Sequence, residues 1–267
     1  MKPKSIISSL SNAQIKNLTL LQKKAKARDE QEIYVIEGRK MYEEAREMGL
    51  LRKAYTSETF YQDILKEKKD YFDGVDYEIL TDAVFKEVSE TKTPQGILGT
   101  VKKAAYHLED MLQASNPCLL LLEDIRDPGN MGTMIRTAEG AGITGIVFGD
   151  STVDIYNPKV IRATMGSIYR MPFYQAPDFY AALKQIKGAG ITIYAAHLMG
   201  IPYDTKDSFC GKCAFLIGNE ANGLSERASK EADTRIKIPM AGKVESLNAA
   251  VAAAILMYEA ARQRRNQ

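Results

Sequence analysis

An asparagine and an arginine, Asn130 and Arg136, lie in a stretch that follows four consecutive leucines at residues 119–122. The leucine run is too short for a typical helix and too uniformly apolar for a half-exposed strand, so it predicts a strand buried on both faces. Pro128 and Gly129 then turn the chain, and apolar residues at helical spacing predict a helix. Asn130 and Arg136 therefore lie near the carboxyl end of a strand, where open α/β sheets bind ligands.

The spacing of this pair suits an extended anionic ligand. Along a helix, Arg136 projects about 9 Å further than Asn130, at roughly 1.5 Å per residue. The two side chains can therefore hold two parts of one substrate. The alternative is that Asn130 only caps the helix and Arg136 is a solvated surface charge.

Two later stretches also place polar groups after an apolar strand. Residues 213–217 lead to Gly218, where the backbone can approach a ligand, and to the carboxylate of Glu220. A plain turn into a helix is the alternative. Further on, Ser246 precedes a long alanine-rich helix whose first amides are free to bind a ligand or the serine hydroxyl. Asn248 is expected inside the first turn, where asparagine is a poor helix former unless its amide is used.

Helix and strand patterns alternate along the chain and predict two α/β units. The first covers residues 1–102, a linker with weak apolar periodicity covers residues 103–116, and the second covers residues 117–267. The loop at residues 91–96 is polar and could contact a substrate. Besides the leucine strand, strands are expected near residues 32–37, 51–56, 77–80, 96–101, 143–148, 171–174, 191–196 and 213–217.

The overall charge gives no preference for nucleic acid, because 36 Lys and Arg residues face 34 Asp and Glu residues. Positive charge is concentrated locally instead. One basic patch lies on a predicted helix over residues 11–28, which has capping-box spacing at Ser11 and Gln14. The other consists of three arginines near the C-terminus. Both patches have the alternative of a solvated helix face. The basic residues that we expect to bind an anion, such as a nucleic-acid phosphate, are Lys23, Lys24, Lys26 and Arg28.

The chain lacks the signatures of several other classes of protein. Residues 1–10 have no signal-peptide core, and the longest apolar stretch, residues 249–257, cannot span a bilayer, so we expect a cytoplasmic protein with no membrane partner. Cys210 and Cys213 have the spacing of a metal or redox pair, but no second pair exists, which favours incidental reduced thiols and no metal. No glycine fingerprint of a nicotinamide-dependent oxidoreductase follows any strand.

Three segments together resemble the SpoU (TrmH) branch of the SPOUT RNA methyltransferases, in the family's order. They are Asp127-Pro-Gly-Asn-Met-Gly-Thr-Met-Ile-Arg-Thr-Ala138, Ile217-Gly-Asn-Glu-Ala-Asn-Gly223 and Ile238-Pro-Met-Ala-Gly-Lys-Val-Glu-Ser-Leu-Asn248. Two N-terminal segments, Tyr34-Val-Ile-Glu-Gly38 and Lys92-Thr-Pro-Gln-Gly96, look like the ribosomal protein L30e-like substrate-binding domain of many ribosomal-RNA members.

The resemblance implies a C-terminal α/β knot, a deep trefoil knot in a mostly parallel sheet, preceded by a smaller α/β RNA-binding domain. It also implies S-adenosyl-L-methionine bound in the knot, a homodimer formed through the C-terminal domain, and methylation of a ribose 2′-hydroxyl. Knots are almost absent from proteins, so only the motif match supports this topology.

Site residues follow from the resemblance by position. The polar active-site set is Asn130, Arg136, Glu220, Ser246 and Asn248. The cofactor set, which acts largely through backbone groups, is Leu216, Gly218, Ile238 and Leu247. The family assigns deprotonation of the 2′-hydroxyl to the arginine that matches Arg136. An arginine side chain has a pKa of at least about 12, however, so it stays protonated near neutral pH. We therefore favour a role in which Arg136 holds a phosphate and stabilises the developing 2′-oxyanion.

Several alternatives stay open at this point. The N-terminal domain favours ribosomal RNA over transfer RNA as the substrate, without excluding a transfer-RNA 2′-O-methyltransferase. A methyltransferase that acts on a base belongs to the same superfamily. A non-catalytic RNA-binding protein on the same fold would show a damaged active-site set, whereas the set is complete here.

Overall fold

The computed structural model describes residues 6–205 and 209–266, which form two compact units. The first comprises residues 6–104 and 156–169, and the second comprises residues 105–155 and 170–266. Residues 156–169 thus group with the first unit, a feature that the sequence patterns do not indicate. No helix in the described ranges is both long enough and apolar enough to cross a membrane.

The helices are α1 (Ala13–Lys23), α2 (Ala25–Gln31), α3 (Arg39–Glu47), α4 (Glu58–Glu67), α5 (Asp82–Val88), α6 (Leu108–Leu112), α7 (Pro128–Gly140), α8 (Pro158–Thr164), α9 (Phe179–Gly188), α10 (Glu226–Glu231) and α11 (Ala249–Arg265), with a 3₁₀ turn at Ser167–Tyr169. The strands are β1 (Ile33–Glu37), β2 (Leu51–Ser57), β3 (Tyr77–Leu80), β4 (Ile97–Lys102), β5 (Cys118–Leu122), β6 (Gly145–Gly149), β7 (Phe173–Ala176), β8 (Thr192–Pro202), β9 (Cys213–Ile217) and β10 (Thr234–Lys237). The predicted strands are confirmed to within two residues at each end, except that β8 extends six residues beyond its predicted end. Helix α6 lies inside the predicted linker, and α10 follows the turn for which entry into a helix was the alternative.

The first unit is built on a four-stranded sheet in the order β1-β4-β2-β3. Strand β4 pairs antiparallel with β1 and with β2, while β2 and β3 are parallel. The apolar stripe of α1, which includes Ile15, Leu18 and Leu21, packs into a core with Val84 and Leu98. One face of α1 is therefore used for packing, and the opposite face is left to solvent.

The basic segment forms two helices instead of the single predicted one. Lys24 has an extended backbone (φ −125°, ψ 115°) and separates α1 from α2. The N-cap of α1 is Asn12, whose Oδ1 accepts from the backbone N–H of Gln14 at 2.8 Å, so the expected capping box at Ser11 is wrong. Asn12 caps the helix in place of Ser11 because its side chain lies one residue closer to the first backbone amides that lack a partner within the helix.

Arg28 corrects the predicted set of RNA-binding residues. Its side chain is only 4% exposed, and its guanidinium donates to the backbone carbonyls of Leu21 and Gln22 in the last turn of α1. Carbonyls at a helix end need such donors because they have no partner within the helix. Arg28 is therefore a structural residue, whereas Lys23, Lys24 and Lys26 are exposed.

The second unit contains a six-stranded sheet in the order β10-β8-β9-β5-β6-β7, in which every pair of neighbours is parallel. The four leucines of β5 are fully buried, as predicted. From β5 the chain runs to β6 and β7 on one side, whereas β9 and β8 lie on the other. This change of direction between β5 and β9 is a topological switch point, where parallel sheets bind ligands. The predicted α/β class with a mostly parallel sheet is confirmed, and the trefoil knot stays a prediction.

Strand β8 makes an irregular pairing with β10 that shapes the edge of this sheet. Arg235 pairs with Ala195, but the next residue, Ile236, pairs with Ile201, so residues 196–200 are excluded from the ladder. Within this bulge Gly200 is in close contact with β10: a Cβ there would lie 2.5 Å from the carbonyl carbon of Ile236. Only glycine permits this approach, and the bulge leaves residues 196–199 of β8 without pairing partners on β10.

Candidate active site and cofactor cavity

Three of the predicted active-site residues are joined by hydrogen bonds at the carboxyl ends of β5 and β9. The carboxylate of Glu220 accepts from the backbone N–H of Arg126 at 3.2 Å and of Asp127 at 3.1 Å. It also accepts from Asn130 Nδ2 at 3.1 Å, and Asn130 Oδ1 accepts from Asn248 Nδ2 at 2.9 Å. The network therefore links the strand-end loops to the starts of two helices, α7 and α11.

Local capping explains why these amides are held in place. Asp127 is the N-cap of α7 and its Oδ1 accepts from the backbone N–H of Asn130 at 2.7 Å, so the alternative in which Asn130 caps the helix is wrong. Asn248 is the N-cap of α11, with its Oδ1 accepting from Ala250 N at 2.8 Å and Val251 N at 3.3 Å. This corrects its predicted place inside the first turn. The capping oxygen leaves Nδ2 free to reach Asn130.

A third asparagine, Asn219, which sequence reasoning missed as a site residue, fixes the turn after β9. Asn219 Nδ2 donates to the backbone carbonyl of Asp124 at 2.8 Å, and its Oδ1 accepts from Ala221 N at 2.9 Å and Asn222 N at 3.1 Å. Asp124 has a left-handed backbone with φ of 55°, a conformation that aspartate tolerates better than most residues. The only sequence signal was the place of Asn219 inside the second resembling segment.

The hydrogen bonds to Glu220 change its acidity. Partial burial on its own raises the pKa of Glu220, but the bonds from Asn130 and from the N–H groups of Arg126 and Asp127 together hold the pKa below its ordinary value of 4.5. A pKa that is lowered in the folded state stabilises the fold above the ordinary pKa. That contribution is lost as the pH falls through the lowered value.

We expect Glu220→Gln to lower the free energy of unfolding by roughly 1 kcal/mol near pH 7, because an amide nitrogen replaces one of two oxygens, each of which accepts from a backbone N–H group. The difference from the wild type should shrink in acid, since the wild-type carboxylate is then protonated. Urea unfolding near pH 7 and near pH 3 measures both effects. The control is Glu226→Gln, whose carboxylate is 83% exposed and pairs with Lys230. Equal losses in the two variants would contradict this role of Glu220.

A cavity of about 780 Å³ lies beside this network, at the carboxyl ends of β8, β9 and β10. Its walls come from the bulge at residues 196–199, the turn at residues 217–224 and the segments at residues 236–240 and 245–247. The predicted residues that line it are Gly218, Glu220, Ile238, Ser246 and Leu247. The predicted Leu216 does not line it, because its side chain is fully buried inside β9.

The cavity fits S-adenosyl-L-methionine in size and in the character of its walls. Sites for ligands of this size occupy roughly 300–1,000 Å³ and combine apolar walls with a few polar groups. Here Leu198, Met240 and Leu256 supply apolar surface, while Glu220 and Glu245 supply carboxylates. At Gly218 a Cβ would lie 2.3 Å from the backbone carbon of Gly223, so the absence of a side chain is required for the turn to fold over on itself.

Arg136 on α7 and Ser246 at the cavity wall do not take part in the hydrogen-bond network. Arg136 is exposed on α7, one and a half turns beyond Asn130, as the helical spacing predicts. Neither Arg136 nor Ser246 has a side-chain hydrogen bond with residues that the structure describes. Both side chains are therefore free to bind a ligand.

Comparison with known proteins agrees with this geometry. Residues 117–258 match the family model described as the SpoU rRNA Methylase family, which covers the second unit's sheet and its cavity. The chain belongs to this family. Residues 12–99 match the model of an MRM3-like substrate binding domain. The predicted family, the class of RNA methyltransferase and the dependence on S-adenosyl-L-methionine are thereby confirmed.

Two relatives and one solved structure are similar to this SpoU family member over at least 90% of its length. The 23S rRNA (guanosine(2553)-2'-O)-methyltransferase RlmP of Bacillus subtilis is 34% identical over 256 residues, covering 94% of this chain and 97% of that relative. The human mitochondrial rRNA methyltransferase 3 is 28% identical, and the match covers 90% of this chain and 70% of that relative. The AdoMet-bound rRNA methyltransferase of Sinorhizobium meliloti has a TM-score of 0.84 at 29% identity, with 97% of both chains covered.

The cysteines lie away from this site. Cys118 and Cys213 are buried on neighbouring strands with their sulfur atoms 3.5 Å apart, and Cys210 is partly buried. All three are free thiols. Within the described ranges no cluster of His, Cys, Asp and Glu side chains could hold a metal ion.

Proposed function

We propose that this enzyme methylates the ribose 2′-hydroxyl of a guanosine in large-subunit ribosomal RNA, with its active site at the junction of the Glu220–Asn130–Asn248 network and the cofactor cavity. The observation that carries the proposal is this junction, because a methyl donor and a network of polar groups must lie side by side for transfer. The names of relatives such as the 23S rRNA enzyme of Bacillus subtilis support the choice of RNA and nucleoside. A transfer RNA substrate is the less favoured alternative.

S-adenosyl-L-methionine, when bound, supplies an activated methyl group. The backbone around Gly218, Ile238 and Leu247 holds the cofactor, since these residues line the cavity. Leu216 contributes through its place in β9, where its buried side chain supports the turn that follows. The protein thus provides position and charge, and the cofactor provides the reactivity.

Arg136 holds a phosphate of the substrate and stabilises the negative charge that develops on the 2′-oxygen. The 2′-hydroxyl proton leaves late, is shared in the transition state with that phosphate and is then released to water, because an arginine cannot accept it near neutral pH. Asn130 and Asn248, whose amides are held by each other and by Glu220, orient the ribose. Ser246, at the cavity wall, contacts the substrate.

The proposed enzyme is a cytoplasmic homodimer that associates through its C-terminal unit. Two apolar residues of α11, Val251 and Tyr258, are about half exposed, and α11 packs against α7. Burying such a surface against a second copy removes apolar area from water. Sedimentation analysis measures the oligomeric state directly.

Transfer of labelled methyl from S-adenosyl-L-methionine to total RNA from a strain that lacks this gene tests the proposed activity. Nuclease mapping then locates the modified nucleotide. A single 2′-O-methylguanosine in large-subunit RNA is the expected result. Methylation of a base, or modification of transfer RNA alone, would overturn the assignment, and absence of cofactor binding would favour a non-catalytic RNA-binding protein.

The exposed lysines of the N-terminal unit are proposed to bind RNA phosphates. Reversing the charge of Lys23, Lys24 and Lys26 to Glu should raise the Kd for RNA at least about tenfold near 0.1 M salt. It should also reduce the slope of log K against log salt by roughly 0.7–0.9 for each phosphate contact that is lost. Fluorescence anisotropy across a salt series measures both values.

The matched control for this experiment reverses three other exposed lysines of the same unit, at the end of α4. These are Lys66, Lys68 and Lys69. If both triple variants weaken RNA binding equally, the effect is one of net charge and the assignment to the first patch is wrong. Arg28 is left out because its loss would destabilise α1 instead of weakening an RNA contact.

A further inference from the structure

The second unit contains another cavity, of about 380 Å³, at the carboxyl ends of β5, β6 and β7. We propose that it binds the nucleobase of a substrate nucleotide and favours guanine. The inference rests on the proposed function in one respect, which is that the substrate is RNA. The cavity is distinct from the cofactor site, because the two cavities share no lining residue.

A stacked pair of side chains forms one wall of the base cavity. The guanidinium carbon of Arg227 lies 3.7 Å from the ring centroid of Tyr180. Arg227 is exposed and has no hydrogen bond or ion pair with residues that the structure describes. Planar guanidinium groups and aromatic rings are the surfaces on which proteins stack unpaired bases. The outer face of Arg227 can therefore receive a base.

A buried carboxylate keeps this wall rigid. Glu123 is only 8% exposed, and its Oε1 accepts from the Tyr180 hydroxyl at 2.9 Å and from Ser225 Oγ at 2.6 Å. Its Oε2 accepts from the backbone N–H of Ser225 at 2.8 Å. Because both oxygens are occupied, Glu123 is a positioning residue that holds the tyrosine ring and the start of α10.

Two other carboxylates retain an oxygen for a ligand. Asp150 Oδ1 accepts from Gln175 Nε2 at 3.0 Å, and Asp178 Oδ1 caps α9 by accepting from Tyr180 N and Ala181 N, each at 3.0 Å. In each case the described residues leave the Oδ2 atom without a donor. Carboxylate oxygens accept hydrogen bonds only, so they select a ligand edge that carries N–H groups.

The charge of the cavity favours a neutral base over a phosphate. Four carboxylates, from Glu123, Asp124, Asp150 and Asp178, line it together with the single guanidinium of Arg227. Arg126, which is not part of the lining, pairs with Asp124 at 2.9 Å, so the negative charges still outnumber the positive ones. Like charges at short range repel, so an RNA phosphate is excluded. Guanine is neutral and presents adjacent N1–H and N2–H donors on its Watson–Crick edge, the edge that enzymes read when a base leaves the stack.

The base cavity is connected to the active site through one chain segment. The turn at residues 217–224 lines the cofactor cavity, and Arg227, three residues after this turn, lines the base cavity. At the end of β5, Glu123 and Asp124 precede Asp127, which is the N-cap of α7. This helix carries Asn130 and Arg136. A nucleotide whose base enters this cavity therefore has its ribose near the proposed catalytic groups.

Kinetics of methyl transfer to RNA, together with anisotropy of a labelled RNA, test the base cavity. Arg227→Ala should raise the KM and Kd for RNA about tenfold, the size expected from loss of one stacking contact, while the Kd for S-adenosyl-L-methionine stays unchanged. The matched control is Lys230→Ala, which removes a positive charge from the same helix at a site that does not line the cavity. We expect less than about a twofold change in the control.

Base selection is measured with transcripts in which inosine replaces guanosine, because inosine lacks only the exocyclic amino group. The wild type should prefer guanosine about tenfold, and Asp150→Ala should reduce this preference toward one. Equal KM values for Arg227→Ala and Lys230→Ala, or an unchanged preference in Asp150→Ala, would overturn the inference. Failure of the proposed function would look different, since the wild type itself would then transfer no methyl group to RNA.

Discussion

Replacing Arg136 with alanine should lower kcat for methyl transfer by a factor on the order of 100 to 1,000, the usual cost of removing one group that stabilises a developing oxyanion. The side chain is exposed on α7 and has no partner among the described residues, so its loss should leave the fold intact. It also lies outside the residues that line the cofactor cavity. The Kd for S-adenosyl-L-methionine, measured by calorimetry, should therefore stay within about twofold of the wild type.

Arg136→Lys separates charge from geometry at this position. Lysine keeps the positive charge but lacks the planar fork that can bind a phosphate and a developing oxyanion together. We expect the lysine variant to keep less than about a tenth of the wild-type kcat. Near-normal turnover would show that charge alone suffices and would refute the proposed role. Arg265→Ala, an exposed arginine at the end of α11, is the control for loss of one positive charge.

Gly218→Ala should weaken cofactor binding by a factor on the order of 100, because the turn after β9 has no room for a methyl group. An added Cβ would lie 2.3 Å from both the backbone carbon of Gly223 and the backbone nitrogen of Leu224. These are backbone atoms, so relief requires the whole turn to move. That movement would displace the wall of the cofactor cavity and the Glu220 carboxylate together.

The control for this substitution is Gly242→Ala, in the segment between β10 and α11, where an added Cβ meets nothing within 4 Å. Calorimetric titration with S-adenosyl-L-methionine and the melting temperature of the free protein should be measured for both variants. We expect the control to bind the cofactor normally. A Gly218→Ala variant with normal cofactor affinity would show that the ligand does not depend on this turn. A lower melting temperature of Gly218→Ala together with an unchanged affinity for S-adenosyl-L-methionine would likewise refute the prediction.

The sequence by itself determined the elements of the fold and the general place of the site. The leucine run of β5 and the helical spacing after Pro128 are local patterns, and local patterns reflect the period of the backbone itself. The place of Asn130 and Arg136 after the leucine strand was sufficient to predict a site there, because open α/β sheets bind ligands at the carboxyl ends of their strands. The motifs then supplied the family, which composition and charge could not.

Tertiary structure alone decided which side chains meet. The partners of Asn130 are distant in the chain, 90 residues away for Glu220 and 118 for Asn248, and no local pattern encodes such pairs. Arg28 resembles its lysine neighbours in sequence, yet the break at Lys24 turns it back to the carbonyls of α1. The stack of Arg227 on Tyr180 likewise depends on α9 and α10 lying side by side. Packing sets these contacts because burial of the strands fixes where each loop ends, and the polar groups that meet there must then find partners.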